Sequence, residues 1–203
     1  MSNYYLPSTS LDEVSPIPVV KLDGVALVKP NELEVLASLA NSVKPLRRVV
    51  EIGANRGYTA ATLLKTLPQI TEWIAVDVLP GYRPDFDSQL CEILDEPGGY
   101  ALGDPRYRLI RRKAGSFDVT YAELGYNIDF FFIDGDHGER AVAHDTDLAR
   151  MTTRRNGMIV WHDYYYEKKP LGVNAVLNKL ASFGHHGIRR VEGTCIAYEW
   201  QTD

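Results

Sequence analysis

Two short strings carry residue types that can do chemistry together: Ile133-Asp134-Gly135-Asp136-His137 and Trp161-His162-Asp163-Tyr164, each at the end of an apolar run. Asp134 and Asp163 offer hard carboxylate oxygens of the kind that hold Mg²⁺ or a similar divalent cation while it keeps several waters. A divalent cation lowers the pKa of a hydroxyl bound to it and fixes its orientation, so that a nearby base can take the proton and leave a nucleophile. His137 is the first choice for that base, because an unperturbed imidazole titrates at about 6.5, and Asp136 is the second. His162 is either a further metal ligand or a group that orients one. The plain alternative is that Asp134 and Asp163 cap strand ends and the histidines are structural hydrogen-bonders.

A second constellation lies upstream. Glu51-Ile52-Gly53-Ala54-Asn55-Arg56-Gly57 follows a β-branched run. Gly53 and Gly57 permit close backbone approach, and Asn tolerates a left-handed conformation better than other non-glycine residues. Asp77 ends the next strand, where an open α/β sheet places an acid beside a bound ribose. A dinucleotide fingerprint needs glycines where this chain has Asn55 and Tyr58, which disfavours a nicotinamide-dependent dehydrogenase.

These residues need a scaffold that brings them to one edge. The pattern Asn31 to Val43 predicts a helix with Asn31 as N-cap after Pro30. Strands are predicted at Arg48 to Ile52, Trp73 to Val78, Tyr107 to Arg111, Asp129 to Asp134 and Gly157 to Trp161. Helices are predicted at Thr59 to Leu67, Phe86 to Leu94, Glu139 to Arg154 and Val173 to Phe183, and last strands at Ile188 to Val191 and Thr194 to Trp200. Strand and helix alternate, so the expected fold is α/β: a Rossmann-like, doubly wound sheet, mostly parallel with an antiparallel C-terminal strand and helices on both faces. In a parallel sheet the two acid strings fall at the same carboxyl edge, about 5 Å apart if their strands are neighbours.

Other features read as peripheral. Ile17 to Val20 and Val25 to Val28 flank Asp23-Gly24, which suggests an N-terminal hairpin or lid over residues 1 to 30. His144, Asp145 and Asp147 are spread around a predicted helix and read as a solvated face. His185 and His186 read as surface residues. Tyr164, Tyr165 and Tyr166 either wall a substrate pocket or pack in the core, and Tyr4 and Tyr5 are candidates to cover the same mouth.

Composition removes several function classes. The chain has 203 residues, 45% of them hydrophobic, enough for one domain spanning 1 to 203. A domain of that size buries roughly 70% of its unfolded surface, which excludes a disordered tail or a disulfide-stapled miniprotein. With 22 basic residues against 27 acidic ones, a net charge of -5 and no basic run, nucleic acid is not expected as a partner. Cys91 and Cys195 are far apart without metal-ligand spacing, as expected of reduced thiols. No charged leader precedes an apolar core and no window nears the ~20 apolar residues of a span, so a cytoplasmic protein without a membrane partner is expected.

The glycine turn resembles the first motif of the class I S-adenosylmethionine-dependent methyltransferases, acid-x-Gly-x-Gly-x-Gly after the first strand. Glu51, Gly53 and Gly57 match, and Asn55 replaces the middle glycine. The resemblance implies S-adenosylmethionine held by Glu51, Gly53, Ala54, Asn55, Gly57, Tyr58 and Asp77, with Gly115 and Ser116 of Ala114-Gly115-Ser116-Phe117 on the adenine side and Asp134 at the border. The donor's carboxylate suits the amides opening the helix after Gly57, and its cationic groups suit Glu51 and Tyr58. The strings FIDGDH and VWHDY are similar to those of metal-dependent small-molecule O-methyltransferases, notably the macrocin-type enzymes of natural-product tailoring, and less closely the catechol and caffeoyl-CoA group. That similarity implies a metal on Asp134 and Asp163 with a contribution from His162, and a base at His137 or Asp136. Where the catechol-like enzymes have an Asn after the second acid this chain has Tyr164, which leaves the third ligand open. The resemblance spans about Val49 to Leu180. The implied reaction is divalent-metal-assisted O-methylation of a small hydroxylated molecule (a sugar, polyketide or phenol), the implied assembly a homodimer. A metal-independent N- or carboxyl-methyltransferase of the same fold and a non-catalytic cofactor-binding module are the alternatives.

Overall fold

The strands form where β-branched and aromatic residues cluster, and their order puts the two constellations side by side. The computed structural model describes residues 6–84, 92–164, 171–185 and 187–202. Strands β1 (Ser8–Thr9), β2 (Arg48–Ile52), β3 (Glu72–Val78), β4 (Tyr107–Arg112), β5 (Ile128–Ile133), β6 (Thr153–Trp161), β7 (Arg189–Val191) and β8 (Ala197–Trp200) make one sheet in the order β1-β7-β8-β6-β5-β2-β3-β4. Every pairing from β6 through β4 is parallel. The C-terminal strand β8 runs antiparallel between β6 and β7, as expected.

Helices cover both faces. Phe130, Phe132, Trp73 and Val160 point to the side of α2 (Pro30–Ser42) and α3 (Tyr58–Thr66), while Phe131, Ile133, Ile74 and Trp161 point to the side of α5 (Glu139–Thr152) and α6 (Gly172–Ser182). All six residues of β5 are buried, which explains why its sequence is apolar without alternation. Two four-residue helices, α1 (Leu11–Val14) and α4 (Tyr121–Leu124), close local turns.

The chain builds β2, β3 and β4 outward in one direction, then returns to lay β5 on the other side of β2. That reversal is the topological switch point, where open α/β sheets form their ligand crevice. Both constellations therefore open onto it: the glycine turn follows β2, and Asp134 follows β5.

Several expectations need correction. Residues 17 to 28 form no hairpin. Ile17, Val19, Leu22 and Ala26 lie against the core of α2 and α3, and the backbone amide of Val20 donates to Thr66 Oγ1 at 3.0 Å. A strand there would need a partner edge, and the strap instead finds side chains of α3 to satisfy it. The strand of this region is β1, parallel to β7. Helix α2 starts two residues early: Lys29 rather than Asn31 is the N-cap, Pro30 takes the first helical position that its fixed φ favours, and Asn31 lies inside the helix. Strand β6 begins at Thr153, where α5 ends, because Thr153 pairs with Ile128 and Arg154 reaches Asp129 at 2.5 Å; the register then shifts before Met158 pairs with Phe130. The helix expected from Phe86 falls mainly outside the described residues, and Glu92 to Leu94 are not helical. Tyr4, Tyr5, Cys91, Tyr165, Tyr166 and His186 also lie outside them. No described helix is long and apolar enough to cross a membrane.

Gly53 is the tightest point of the crevice. Its φ is +92°, its amide donates to Val76 O at 2.9 Å, and a Cβ there would lie 2.1 Å from the carbonyl oxygen of Asp134. Gly53→Ala is expected to cost at least about 2 kcal/mol, since left-handed strain and a backbone clash add. Urea denaturation compared with the unsubstituted chain checks this.

Candidate active site

A cleft of about 410 Å³ opens at the carboxyl rim of β2, β3, β4, β5 and β6. That volume is within the usual range of small-molecule pockets. Gly53, Ala54, Asn55, Tyr58, Glu51, Asp77, Gly115, Ser116, Asp134, Asp136, His137, His162 and Asp163 all line it. Gly57 does not. With φ +76° it caps α3 behind the loop, where a Cβ would lie 2.7 Å from Gly98 O.

The glycine loop is held from both sides. Asp77 accepts from the amides of Asn55 (2.8 Å) and Val78 (2.7 Å), and the Asn55 carbonyl, in a residue at φ +41°, accepts from the Gly98 amide at 2.6 Å. Burial pushes the Asp77 carboxyl up, against the opposing pull of the Val78, Asn55 and Ala54 amides and of Arg111. With three amides on its two oxygens, the Asp77 carboxylate keeps one of its four lone-pair sites for a ligand hydroxyl. Glu51 is 1% exposed and accepts from Trp73 Nε1 at 3.0 Å. Burial drives its carboxyl well above the usual range, over that hydrogen bond, and the charges of Asp134 and Asp77 add to the shift. A cationic ligand group would favour its charged form. Tyr58 ties the N-terminal strap over the cleft by donating to Leu22 O at 2.9 Å, and Val25, Leu27 and Val28 of that strap line the opening.

Asp134, His162 and Asp163 converge after β5 and β6, with one donor atom from each lying within 4.8 Å of the others. His162 Nδ1 is 3.1 Å from Asp134 Oδ1 and 3.3 Å from Asp163 Oδ2. His137 Nε2 is 2.6 Å from Asp163 Oδ2, so the candidate base touches a candidate ligand. Asp163 reaches the cluster from a left-handed conformation, φ +57°, which Asp tolerates better than most residues. Its carboxyl is held low by His137 and His162 despite burial. Asp136 lines the cleft, but both its oxygens are engaged: Oδ1 accepts from the Gly138 amide and Oδ2 from Tyr82 OH, each at 2.8 Å.

The other nitrogen of His162, Nε2, faces Glu32 Oε2 at 3.3 Å. Glu32 comes from α2, is 1% exposed, and also accepts the amides of Cys195 (2.8 Å) and Lys29 (3.2 Å). Burial opposes its charge, yet the His162, Cys195 and Lys29 bonds hold the carboxyl down to about 2. Sequence reading misses Glu32, because a Glu three residues into a helix reads as an ordinary first-turn acid. Burial likewise opposes a charged His162, and Asp134, Asp163 and Glu32 overcome it and raise its pKa well above the usual value.

Two peripheral readings change. Asp145 is not on a solvated face: it is 1% exposed and lines the cleft beside Ser116, because α5 turns that side toward the sheet, whereas Asp147 is exposed. His144 is stacked on Phe117 at 4.4 Å. Tyr164 is core, 1% exposed, donating to Asn178 Oδ1 at 2.9 Å.

A family model described as a methyltransferase domain matches residues 50–164, more than half of the chain. The chain belongs to the methyltransferase-domain family. Sequence, fold and family together make it a class I S-adenosylmethionine-dependent methyltransferase. Solved structures of similar fold include the O-methyltransferase NovP (TM-score 0.61, 14% identity, 84% of this chain and 79% of that one). Another is the O-methyltransferase TomG of Streptomyces achromogenes, involved in tomaymycin synthesis and solved with S-adenosylmethionine (0.57, 14%, 90% and 84%). A third is MycE of the mycinamycin biosynthetic pathway, solved with Mg and S-adenosylhomocysteine (0.54, 13%, 88%); this methyltransferase spans 51% of that chain. No curated protein matches by sequence.

Because Glu32 titrates below its ordinary value, the folded state binds fewer protons than the unfolded one in that range, and the stability this supplies is present above about pH 4.5 and lost as pH falls toward 2. Glu32→Gln is expected to lower the melting temperature at about pH 6, and by progressively less as the pH falls from about 4.5 toward 2. Calorimetric melting of both proteins across that range checks it.

Proposed function

We propose that this methyltransferase moves the methyl group of S-adenosylmethionine to a hydroxyl oxygen of a small molecule, with a divalent cation held by Asp134, His162 and Asp163. The observation that carries this reading is the convergence of those three donors in the same cleft as the glycine loop and Asp77. Two carboxylates and one imidazole are a donor set suited to a hard or borderline divalent ion. Glu32 at Nε2 of His162 supports it too, since a carboxylate on the far nitrogen leaves Nδ1 free to ligate. The Mg and S-adenosylhomocysteine in MycE point the same way for a protein of similar fold.

When bound, the donor supplies an electrophilic methyl group and the cation holds the acceptor hydroxyl and lowers its pKa. The chain's own residues do the rest. Backbone at Gly53 to Asn55 and the Asp77 carboxylate position the nucleoside. His137 is the base that takes the hydroxyl proton, at the ring nitrogen that Asp163 does not hold, and the contact of its Nε2 with Asp163 Oδ2 orients the ring and stabilises the imidazolium that forms. Asp136 keeps Tyr82 and the start of α5 in place. Most of the rate enhancement comes from holding acceptor and donor at attack distance.

Asp134→Ala and Asp163→Ala are each expected to cut turnover by at least about 100-fold while S-adenosylhomocysteine still binds, and a chelator is expected to do the same to the unsubstituted enzyme. Titration calorimetry and a methyl-transfer assay against phenolic, sugar and polyketide acceptors measure both. Full activity under chelation would replace this reading with metal-free transfer, in which His162 serves as an imidazolium paired to Asp134, Asp163 and Glu32.

A further inference from the structure

Near the end of β4, Arg111 brings a guanidinium into the fold with two of its nitrogens unbonded: Nε and Nη2 are buried and have no hydrogen-bond partner among the described residues. Buried donors left open in this way are rare, because burying a polar group unpaired is costly. A charge kept in such a place needs a compensating charge close by.

The register says which charge. Asp77 of β3 is the parallel partner of Arg111, their backbones about 5 Å apart. Both side chains stand on the α3 face: Trp73 and Ala75 precede Asp77 on that face at alternate positions, and Tyr107 and Leu109 do the same for Arg111. Asp77 carries a conflict that a cation resolves. Burial favours its neutral form, whereas the amides of Val78, Asn55 and Ala54, and after them the charge of Arg111, favour the carboxylate. The other titratable and charged groups around it supply no such help. Glu51 of β2 is a second acid, and Tyr107 of β4 is a phenol kept neutral by burial and by the charges of Glu51 and Asp77. Arg56, at the mouth of the cleft, is paired to Glu92 at 3.0 Å. Another hydrogen-bond donor on Asp77 would stabilise its charge only by taking the last free lone pair, whereas Arg111 acts through charge and takes none. Arg111 does not line the cleft, so its effect on a ligand there passes through Asp77.

We propose that Arg111 is a positioning residue for the methyl donor: from outside the cleft it holds Asp77 as a carboxylate and leaves the free lone pair of that carboxylate for the donor's ribose. The inference rests on the cleft being the S-adenosylmethionine site. A protonated Asp77 would bond the ribose without the assistance of charge, and more weakly.

The test is titration calorimetry with S-adenosylhomocysteine at about pH 6 and about pH 8.5 on the unsubstituted protein, Arg111→Met, Arg111→Gln, Arg111→Lys, Asp77→Asn and the double variant of Arg111→Met with Asp77→Asn, with circular dichroism as the check on folding. Losing the cation moves protonation of Asp77 to higher pH, so the loss of affinity belongs to the acid side. Arg111→Met is expected to weaken binding by about tenfold at the lower pH and by less than about threefold at the higher. Arg111→Gln, neutral but polar, is expected to show the same acid-side loss, and it carries the test if Arg111→Met does not fold. Arg111→Lys, which keeps the charge, is expected to stay within about threefold of the unsubstituted protein at both. In the Asp77→Asn background Arg111→Met is expected to change affinity by no more than about twofold. Unchanged binding by the folded neutral variants, an equal loss at both pH values, or the same loss in the Asp77→Asn background would overturn the role of Arg111 while leaving the donor site intact. Failure of the unsubstituted protein to bind S-adenosylhomocysteine at either pH would overturn the donor reading, and this inference with it.

Discussion

The close passage of the ends of β2 and β5 at Gly53 is the constraint on which the site depends. Ile52 O accepts the Asp134 amide at 2.8 Å, and the missing Cβ of Gly53 lets the Asp134 carbonyl sit against the turn. Any side chain there would push the two strand ends apart. The glycine loop and Asp134 would then no longer share a cleft, and the proposed transfer depends on their sharing one.

Around that contact the protein concentrates carboxylates in a low-dielectric setting and resolves each differently. Glu32 and Asp163 are kept charged by imidazoles and amides. Glu51, Asp77 and Asp145 have pKa values raised by burial. The division is spatial: the charged acids surround the two histidines after β5 and β6, and the others line the cleft along the glycine loop and the β4 loop. Groups pushed in opposite directions within one cleft are a common mark of acid and base roles being separated.

Much of this was legible in one chain. Parallel β-branched runs separated by helical spacing specify the sheet, and the positions of Gly53, Asp77, Asp134 and Asp163 at strand ends specify the rim. The N-terminal segment was not legible as a strap, because short apolar runs around Asp-Gly have the same local pattern whether they pair with each other or lie on helices. Asp145 was not legible as a cleft residue, because helical spacing gives the angle of a side chain about the axis but not which angle faces the sheet. Glu32 was hidden for a further reason: its partner His162 is 130 residues away in the chain.

By itself, then, the amino-acid order determined the α/β fold, the glycine turn and the acids and histidines that end the strands, since each is a local pattern of spacing and backbone preference. The tertiary structure decided which nitrogen of His162 meets Glu32, that Asp136 is tied to Tyr82 while His137 contacts Asp163, and that Asp145 lines the cleft. Those outcomes depend on distances between segments that only the packing of helices on the sheet sets, and no local pattern encodes them.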